Sequence, residues 1–419
     1  MEKLVVPDGY KQTEIGVIPD NWKIYTVGDA FSICNNLRFP LSTKVREGMQ
    51  GNYPYYGPTR IQDYLNEYRV EGEFALIGED GDHFIKFTDV PQTQLAQGKF
   101  NVNNHAHLIQ GKIGSAKWFF LFFRHRDITS HISRQGAGRY KLNKATLEKL
   151  LCAVPCEKEQ NAIANVLSDV DALIAGLEKL IAKKQAIKTA TMQQLLTGRT
   201  RLPEFANHPD GTPKGYKQTE LGEIPDDWEV VELGDIGNPI IGLTYSPNNV
   251  SDEGTLVLRS SNVQNGRLEY KNNVFVNMDL PERVIVKEGD ILVCVRNGSK
   301  QLIGKCALID KEAEGNAFGA FMSIFRTKNS SFVFYQFQSS LIQNQISEIM
   351  GATINQITNK DMSGFKISIP SQPKEQTAIA NILSDMDEEI QSLQQRLDKT
   401  RQIKQGMMQE LLTGKTRLV

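Results

Sequence analysis

Between residues 157 and 197, apolar side chains recur every three or four positions: Ile163, Val166, Leu167, Val170, Leu173, Ile174, Leu177, Leu180, Ile181 and Ile187. That spacing predicts an amphipathic helix, and the seam Val166, Val170, Leu173, Leu177, Leu180 is heptad-like. A second stretch offers Ile379, Ile382, Leu383, Met386, Ile390, Leu393, Leu397 and Ile403 in the same rhythm. Pro155 and Pro370 mark the entries, and Gly198 and Gly414 stand where a helix end takes a C′ glycine. About 40 residues rising 1.5 Å each make a rod of roughly 60 Å. Two rods with apolar stripes can bury each other as an intramolecular antiparallel coiled coil. The alternative is two separate surface helices, each packed on its neighbouring domain. Lys184, Glu389 and Arg396 interrupt the stripe, so the seam is imperfect or also serves another protein.

The two helical stretches are copies. EKEQNAIANVLSDVD…LLTGRTRL at 157–202 and PKEQTAIANILSDMD…LLTGKTRL at 373–418 align without a gap, identical at 25 of 46 positions. GYKQTEIGVIPDNWKIYTVGD at 9–29 and GYKQTELGEIPDDWEVVELGD at 215–235 agree at 13 of 21. The offset is 206 at the front and 215 to 216 at the back, so the copies differ in length only in the middle, where they are also unlike in sequence. Each half is a shared frame holding a private insert. A period of about 210 residues is a domain duplication rather than a solenoid, whose repeats run about 20 to 50 residues.

The inserts alternate β-branched and aromatic runs with Gly, Asn, Asp and Ser clusters, which indicates strands and tight loops. WFFLFF at 118–123 and FVFYQFQSSLIQNQISEIM at 332–350 read as helices or buried strands completing each core. The chain has 48 Lys+Arg against 49 Asp+Glu, and a net charge of −1, taken alone, argues against a nucleic-acid partner. Local charge removes that exclusion. Residues 99–149 hold ten basic residues and two acidic ones, and 254–306 hold eight against five. Basic text interleaved with Tyr, Asn, Gln and Gly suits a DNA-reading surface, because Lys and Arg neutralise phosphate while Arg, Asn and Gln present paired hydrogen bonds to base edges.

Other chemistries find little support. LLTGKT ends a helix where a phosphate loop would begin one, and Gln409 stands where that loop needs glycine. GSKQLIGK at 298–305 has the wrong glycine spacing. His105 and His107 lack a third ligand at metal spacing. No Asn/Asp-Pro-Pro-aromatic tetrapeptide, the usual amino-methyltransferase signature, occurs. A scattered Asp/Glu/Lys nuclease site stays open as an alternative, as does a coiled-coil scaffold without a DNA role. The longest apolar run, Trp118–Phe123, is too short for a bilayer that needs about 20 residues. MEKLVVPDGY has no apolar signal core, and five scattered cysteines without a CxxC pair make no disulfide framework. A cytoplasmic protein with reduced thiols is expected.

QTEIGVIPDNW at 12–22 with its echo QTELGEIPDDW, the helix openings KEQNAIANVLSDVD and KEQTAIANILSDMD, and the ends LLTGRTRL and LLTGKTRL together resemble the specificity subunit of type I restriction–modification systems. The resemblance spans the whole chain. It implies an α+β fold with internal duplication and pseudo-twofold symmetry. Two target recognition domains, mixed α/β with a small β-sheet or barrel, are separated by two long helices in an antiparallel coiled coil. The expected division is recognition domain 1 at 1–155, helical spacer 1 at 156–200, a linker at 201–214, recognition domain 2 at 215–370 and spacer 2 at 371–419. The resemblance further implies a non-catalytic subunit, each domain reading one half of an asymmetric bipartite site in double-stranded DNA, with no membrane partner. The helices would fix the gap and dock two methyltransferase subunits, and up to two restriction subunits could join. No cofactor is expected in this chain; S-adenosylmethionine, ATP and magnesium belong to the partners. A methyltransferase-only system would use the same kind of module.

Family resemblance assigns no individual base contact, so candidate DNA-binding residues follow from chemistry: flexible or bidentate donors in Gly-rich loops on a rigid frame. In the first domain these are Tyr55, Tyr56, Arg60, Asn103, Asn104, His105, Arg134, Arg139 and Lys141. In the second they are Arg259, Asn262, Arg296, Asn297, Ser299, Lys300, Thr353, Asn355 and Gln356. Turn formation is the alternative role for several, above all Asn103 and Asn297.

Overall fold

The computed structural model describes residues 6–134, 140–350 and 355–418. The chain forms two compact units: Met1–Glu178 with Arg396–Val419, and Lys179–Gln395. Each long helix starts in one unit and ends in the other. Both units are mixed α and β.

In the first unit the duplicated front segment is a hairpin, Tyr10–Thr13 against Gly16–Pro19. The strand Lys23–Thr26 then pairs antiparallel with Leu151–Val154, tying the beginning of the insert to its end. The insert holds a six-stranded sheet in the order Phe31–Ile33, Ala106–Gly111, Val70–Gly78, Thr93–Val102, Gln50–Tyr56, Ile61–Leu65. Phe100 pairs with Val70 while Ala106 pairs with Gly78. Only six residues of chain, at most about 21 Å, separate those two points, yet a flat eight-residue step along Val70–Gly78 covers about 26 Å. The sheet must therefore curl. Its central strand is apolar on both faces: Ala75 and Ile77 join one core, with Trp22, Trp118 and Phe119, while Phe74 and Leu76 join a second, with Phe100 and Leu108. WFFLFF lies in a helix, Ala116–Phe123, capped by Ser115 Oγ accepting from Trp118 N. Trp118 sits edge-on to Trp22 at 5.5 Å.

The second unit repeats the frame. Tyr216–Thr219 and Gly222–Pro225 form the hairpin, and Trp228–Glu232 pairs with Lys366–Pro370. Its insert differs, with two four-stranded sheets. One runs Gly237–Ile241, Met322–Thr327, Ile291–Cys294, Cys306–Leu308, and the other Val250–Ser251, Phe275–Val276, Thr255–Leu258, Ala317–Phe318. Ile291 and Val293 face one core, and Leu292 and Cys294 the other. FVFYQFQ lies in the helix Ser330–Gln338, and Ser340–Met350 follows as a second helix.

The two long helices, Glu157–Leu195 and Pro373–Leu411, have 39 residues each. Gly198 and Gly414 close them at φ +70° and +71°, the left-handed conformation that glycine adopts without cost. In the first unit Asp171 pairs with Lys404, and Glu178 with Arg401. In the second, Lys184 pairs with Glu389 and Lys188 with Asp387, both at 2.7 Å. Within each unit numbers rise on one helix as they fall on the other, so the helical segments there run antiparallel.

The expected seam needs correction. Leu173 and Leu180 are 44% and 38% exposed, whereas Ile163, Leu167, Leu177 and Ile181 are buried. The inward stripe is 163, 167, 170, 174, 177, 181, 184, 188, and its copy is 379, 383, 386, 390, 393, 397, 400, 404. Two overlapping apolar stripes compete in the sequence. The true one carries Lys184 and Lys188, whose charged tips reach acids on the other helix while their stems cover apolar surface.

The frame motifs meet one another in space. Glu159 of KEQ accepts from the indole of Trp22 at 3.0 Å and from Arg417 of TRL at 2.6 and 2.8 Å. In the other unit Glu375 accepts from Trp228 at 3.4 Å and from Arg201 at 2.7 and 2.9 Å. A side chain on Gly414 would collide with Pro19, and one on Gly198 with Pro225. Each helix end therefore docks on the hairpin and the helix start of the opposite copy.

Candidate nucleic-acid interface

In the first unit, hydrogen bonds gather four separate loop segments. Glu79 N donates to His105 O, and Leu142 N to Glu79 O, both at 2.8 Å. Asn103 N donates to Tyr56 O at 3.0 Å, and Gly57 N to Arg60 O at 2.8 Å. Tyr56, Arg60, Asn103, Asn104, His105 and Lys141 thus belong to one loop cluster. Arg60, Asn104 and His105 are exposed. His105 Nδ1 lies 2.8 Å from Asp80 Oδ2. Lys141 reaches Glu79 at 3.7 Å. Arg134 sets its guanidinium 5.5 Å from the Tyr140 ring. Tyr56 is half-buried edge-on to Phe100, and burial raises its phenol pKa.

Two choices in this domain are corrected. Tyr55 is 1% exposed; its hydroxyl donates to Phe39 O and accepts from Leu41 N, so it is a core residue. Asn103 is buried, donating to Gln62 Oε1 and accepting from His105 N. It builds the loop, which is the turn role allowed above. Arg139 lies outside the described residues.

Arg38 joins this cluster without any local signal in its sequence. It binds Glu79 at 2.9 Å, the Asn104 carbonyl at 3.2 Å and His107 Nδ1 at 2.8 Å. His107 is buried, and its Nε2 meets Leu142 O at 2.8 Å. A donor is thus required at Nε2 and an acceptor at Nδ1, which fixes a neutral tautomer; burial lowers its pKa accordingly. His105 and His107 are spent on these separate partners rather than converging as ligands. Arg38 follows Phe31–Ile33, whose antiparallel pairing with Ala106–Gly111 carries it to His107 across 69 residues of chain.

In the second unit Arg296, Asn297, Ser299, Lys300 and Gln356 fall together. Arg296 bridges Gln356 through the backbone, Asn297 Oδ1 accepts from Ser299 N at 3.0 Å, and Lys300 Nζ reaches Met350 O at 3.5 Å. Asn297 Nδ2 donates to Ser260 Oγ at 3.2 Å, joining this patch to Arg259 next door in sequence. Asn355 precedes Gln356 and is partly exposed. Asn262 is corrected: it is fully buried, accepts from Arg259 N and donates to Glu269 O and Asn273 Oδ1. Thr353 lies outside the described residues.

The architecture and these polar clusters can be set beside known proteins. The family profile described as type I restriction modification DNA specificity domain matches residues 19–189 and again 225–402. The chain belongs to this family. It is 24% identical to the type I restriction enzyme MjaVIII specificity subunit of Methanocaldococcus jannaschii, over 96% of this chain and 94% of that one. It is 32% identical to the EcoKI specificity subunit of Escherichia coli, over 46% and 43% of the two chains. The crystal structure of a type I restriction–modification S subunit from M. genitalium matches its fold with a TM-score of 0.60, at 15% identity, covering 93% of this chain and 96% of that one. Membership makes the chain a specificity subunit, the recognition component rather than a catalytic one. Among the described residues, no helix is long and apolar enough to cross a membrane.

Proposed function

We propose that this specificity subunit reads double-stranded DNA directly in the cytoplasm, each domain recognising one half of an asymmetric bipartite target. The long helices set the gap between the halves and dock two methyltransferase subunits. Those partners bring S-adenosylmethionine; up to two restriction subunits, using ATP and magnesium, complete the nuclease. The observation that carries this reading is the contrast between frame and insert. The Trp–Glu–Arg frame is built twice from the same residues, while each insert displays its own set of exposed donors on loops. A shared frame with unlike loops suits two unlike half-sites, because loops on a rigid scaffold can change without disturbing assembly. Base edges in the major groove offer distinct donor and acceptor patterns that Arg, Asn, Gln and Lys can match.

The test is selection of a random duplex library by the full chain purified with its co-expressed partner subunits. Two short blocks at a fixed separation are expected. Recovery of a single continuous motif, or of none, overturns the reading.

A further inference from the structure

Phe321 occupies an unusual position for a large aromatic residue. It is 57% exposed, yet the loop that carries it is held firmly: its carbonyl accepts from Val295 N at 3.0 Å and Arg296 N at 3.1 Å. A side chain on Gly242 would collide with the Gly319 carbonyl, so the backbones there pack in direct contact. The Arg296 guanidinium lies 5.4 Å from the Phe321 ring. Beside the ring opens a cavity of about 500 Å³, walled by Leu243, Tyr245, Met322 and Phe321 and edged by Arg259 and Asn272. Among the described residues, no carboxylate lines it. Arg259 Nη2 donates to Asn272 O at 3.0 Å, while its buried Nε has no hydrogen-bond partner.

A cavity with apolar walls, one arginine at its edge, a second beside the Phe321 ring and no acid among its described lining residues favours a ligand that is anionic overall but presents an apolar point. Phosphate alone needs the cations and not the aromatic wall. In duplex DNA the apolar point in the major groove is the C5-methyl group of thymine. We propose that this cavity is a base-contact pocket of the second domain, with Phe321 covering a thymine methyl and Arg259 and Arg296 holding the flanking backbone or base edge. The inference rests on the DNA-reading proposal and adds Phe321, Tyr245 and the class of base to it.

The experiment uses the full chain with its co-purifying partner subunits and duplexes carrying the selected motif, each thymine of both blocks replaced in turn by deoxyuridine. One replacement should weaken wild-type binding roughly fourfold, the worth of one buried methyl group. Phe321→Ala should bind less tightly and no longer distinguish thymine from uracil at that position, while Phe321→Leu keeps part of the distinction. The proposal is overturned if neither block contains thymine, if no replacement matters, or if Phe321→Ala still discriminates. Loss of a partner subunit from Phe321→Ala with discrimination intact would also overturn it, by assigning the ring to a protein contact. Failure of the underlying DNA reading is seen separately and earlier, as a wild-type selection that yields no split motif.

Discussion

Arg201 clasps Glu375 through two parallel hydrogen bonds, Nε to Oε1 and Nη2 to Oε2, with only 5% and 1% of the two side chains exposed. Its remaining donors reach Asp227 and the Phe205 carbonyl. Arg417 and Glu159 repeat the pair 216 residues along each motif, but there Arg417 is 27% exposed. Removing one member of a buried pair strands the other charge, at a cost of about 3–5 kcal/mol. Arg201→Ala should therefore destabilise the second unit by about that amount, and Arg417→Ala the first unit by less, since the partly exposed Arg417 is already screened by water and its removal opens a path for water to Glu159. Urea unfolding followed by tryptophan fluorescence checks this, Trp228 and Trp22 being the indoles bonded to the two glutamates. Equal midpoints for wild type and Arg201→Ala would contradict the assignment.

That pair also shows what was legible in the sequence. The repeats KEQ and TRL are plain as text, and they gave the duplication, the helix limits and the glycine caps. Their reason is not plain, because Glu375 and Arg201 are 174 residues apart and meet only after the second helix start docks on the first helix end. The same limit governs the candidate site. Local composition marks Arg60, Asn104, His105, Arg296 and Lys300 as loop donors, and all five are exposed. Tyr55 and Asn262 were misassigned because a hydroxyl or amide that satisfies buried backbone looks the same in sequence as one that faces solvent. Phe321 and Arg38 carry no such local signal: exposure of an apolar ring and capture of a distant arginine are decided by tertiary packing.

His83 gives the first unit a predictable pH response. The imidazole is buried against Phe84, ring centroids 4.1 Å apart, and burial lowers its pKa to about 4 despite the nearby Asp80 and Asp82. The unfolded chain protonates near 6.5 and the folded one near 4, so between those values the unfolded state binds the extra proton. Stability is unaffected above pH 6.5 and falls as pH drops from 6.5 to 4, by about 3 kcal/mol in all. Urea midpoints measured across that range should show the decline, and His83→Gln should flatten it. A wild-type profile that is flat across the window would show that the imidazole titrates normally.

Arg60 and Asn262 should separate specificity from folding. Arg60 is exposed in the turn closed by its own carbonyl. If it meets a base edge, Arg60→Ala weakens binding by about 1–3 kcal/mol and relaxes one position of one block. If it meets phosphate, the loss is uniform over sequences and the salt dependence becomes shallower. Asn262→Ala instead removes three buried hydrogen bonds and should lower stability without shifting the motif. Motif selection on both variants, with unfolding curves in parallel, distinguishes the roles. A changed motif in a fully stable Asn262→Ala protein would return that residue to the reading surface.

The polar seam makes the spacer testable by length. Lys188–Asp387 and Asp171–Lys404 occupy equivalent places in the two copies, each a lysine reaching an acid on the antiparallel helix. Tyr335 adds a hydrogen bond to Asp387 at 3.0 Å, and Arg124 an ion pair to Asp171 at 3.5 Å, so each acid also ties its helix to its own insert. Removing seven residues from both helices, 176–182 and 392–398, leaves all four contacts and the seven-residue seam in step. Each helix shortens by about 10.5 Å, equivalent to about three base-pair steps at 3.4 Å. The unread gap in the selected motif should contract by about that much while both blocks keep their sequences. Removing seven residues from one helix alone sets the two lysine–aspartate pairs in conflict, because satisfying one displaces the other by two turns. That variant should be markedly less stable than the double deletion, although it lacks fewer residues. If the double deletion changes the blocks rather than the gap, the helices are part of the reading surface and the spacer role fails.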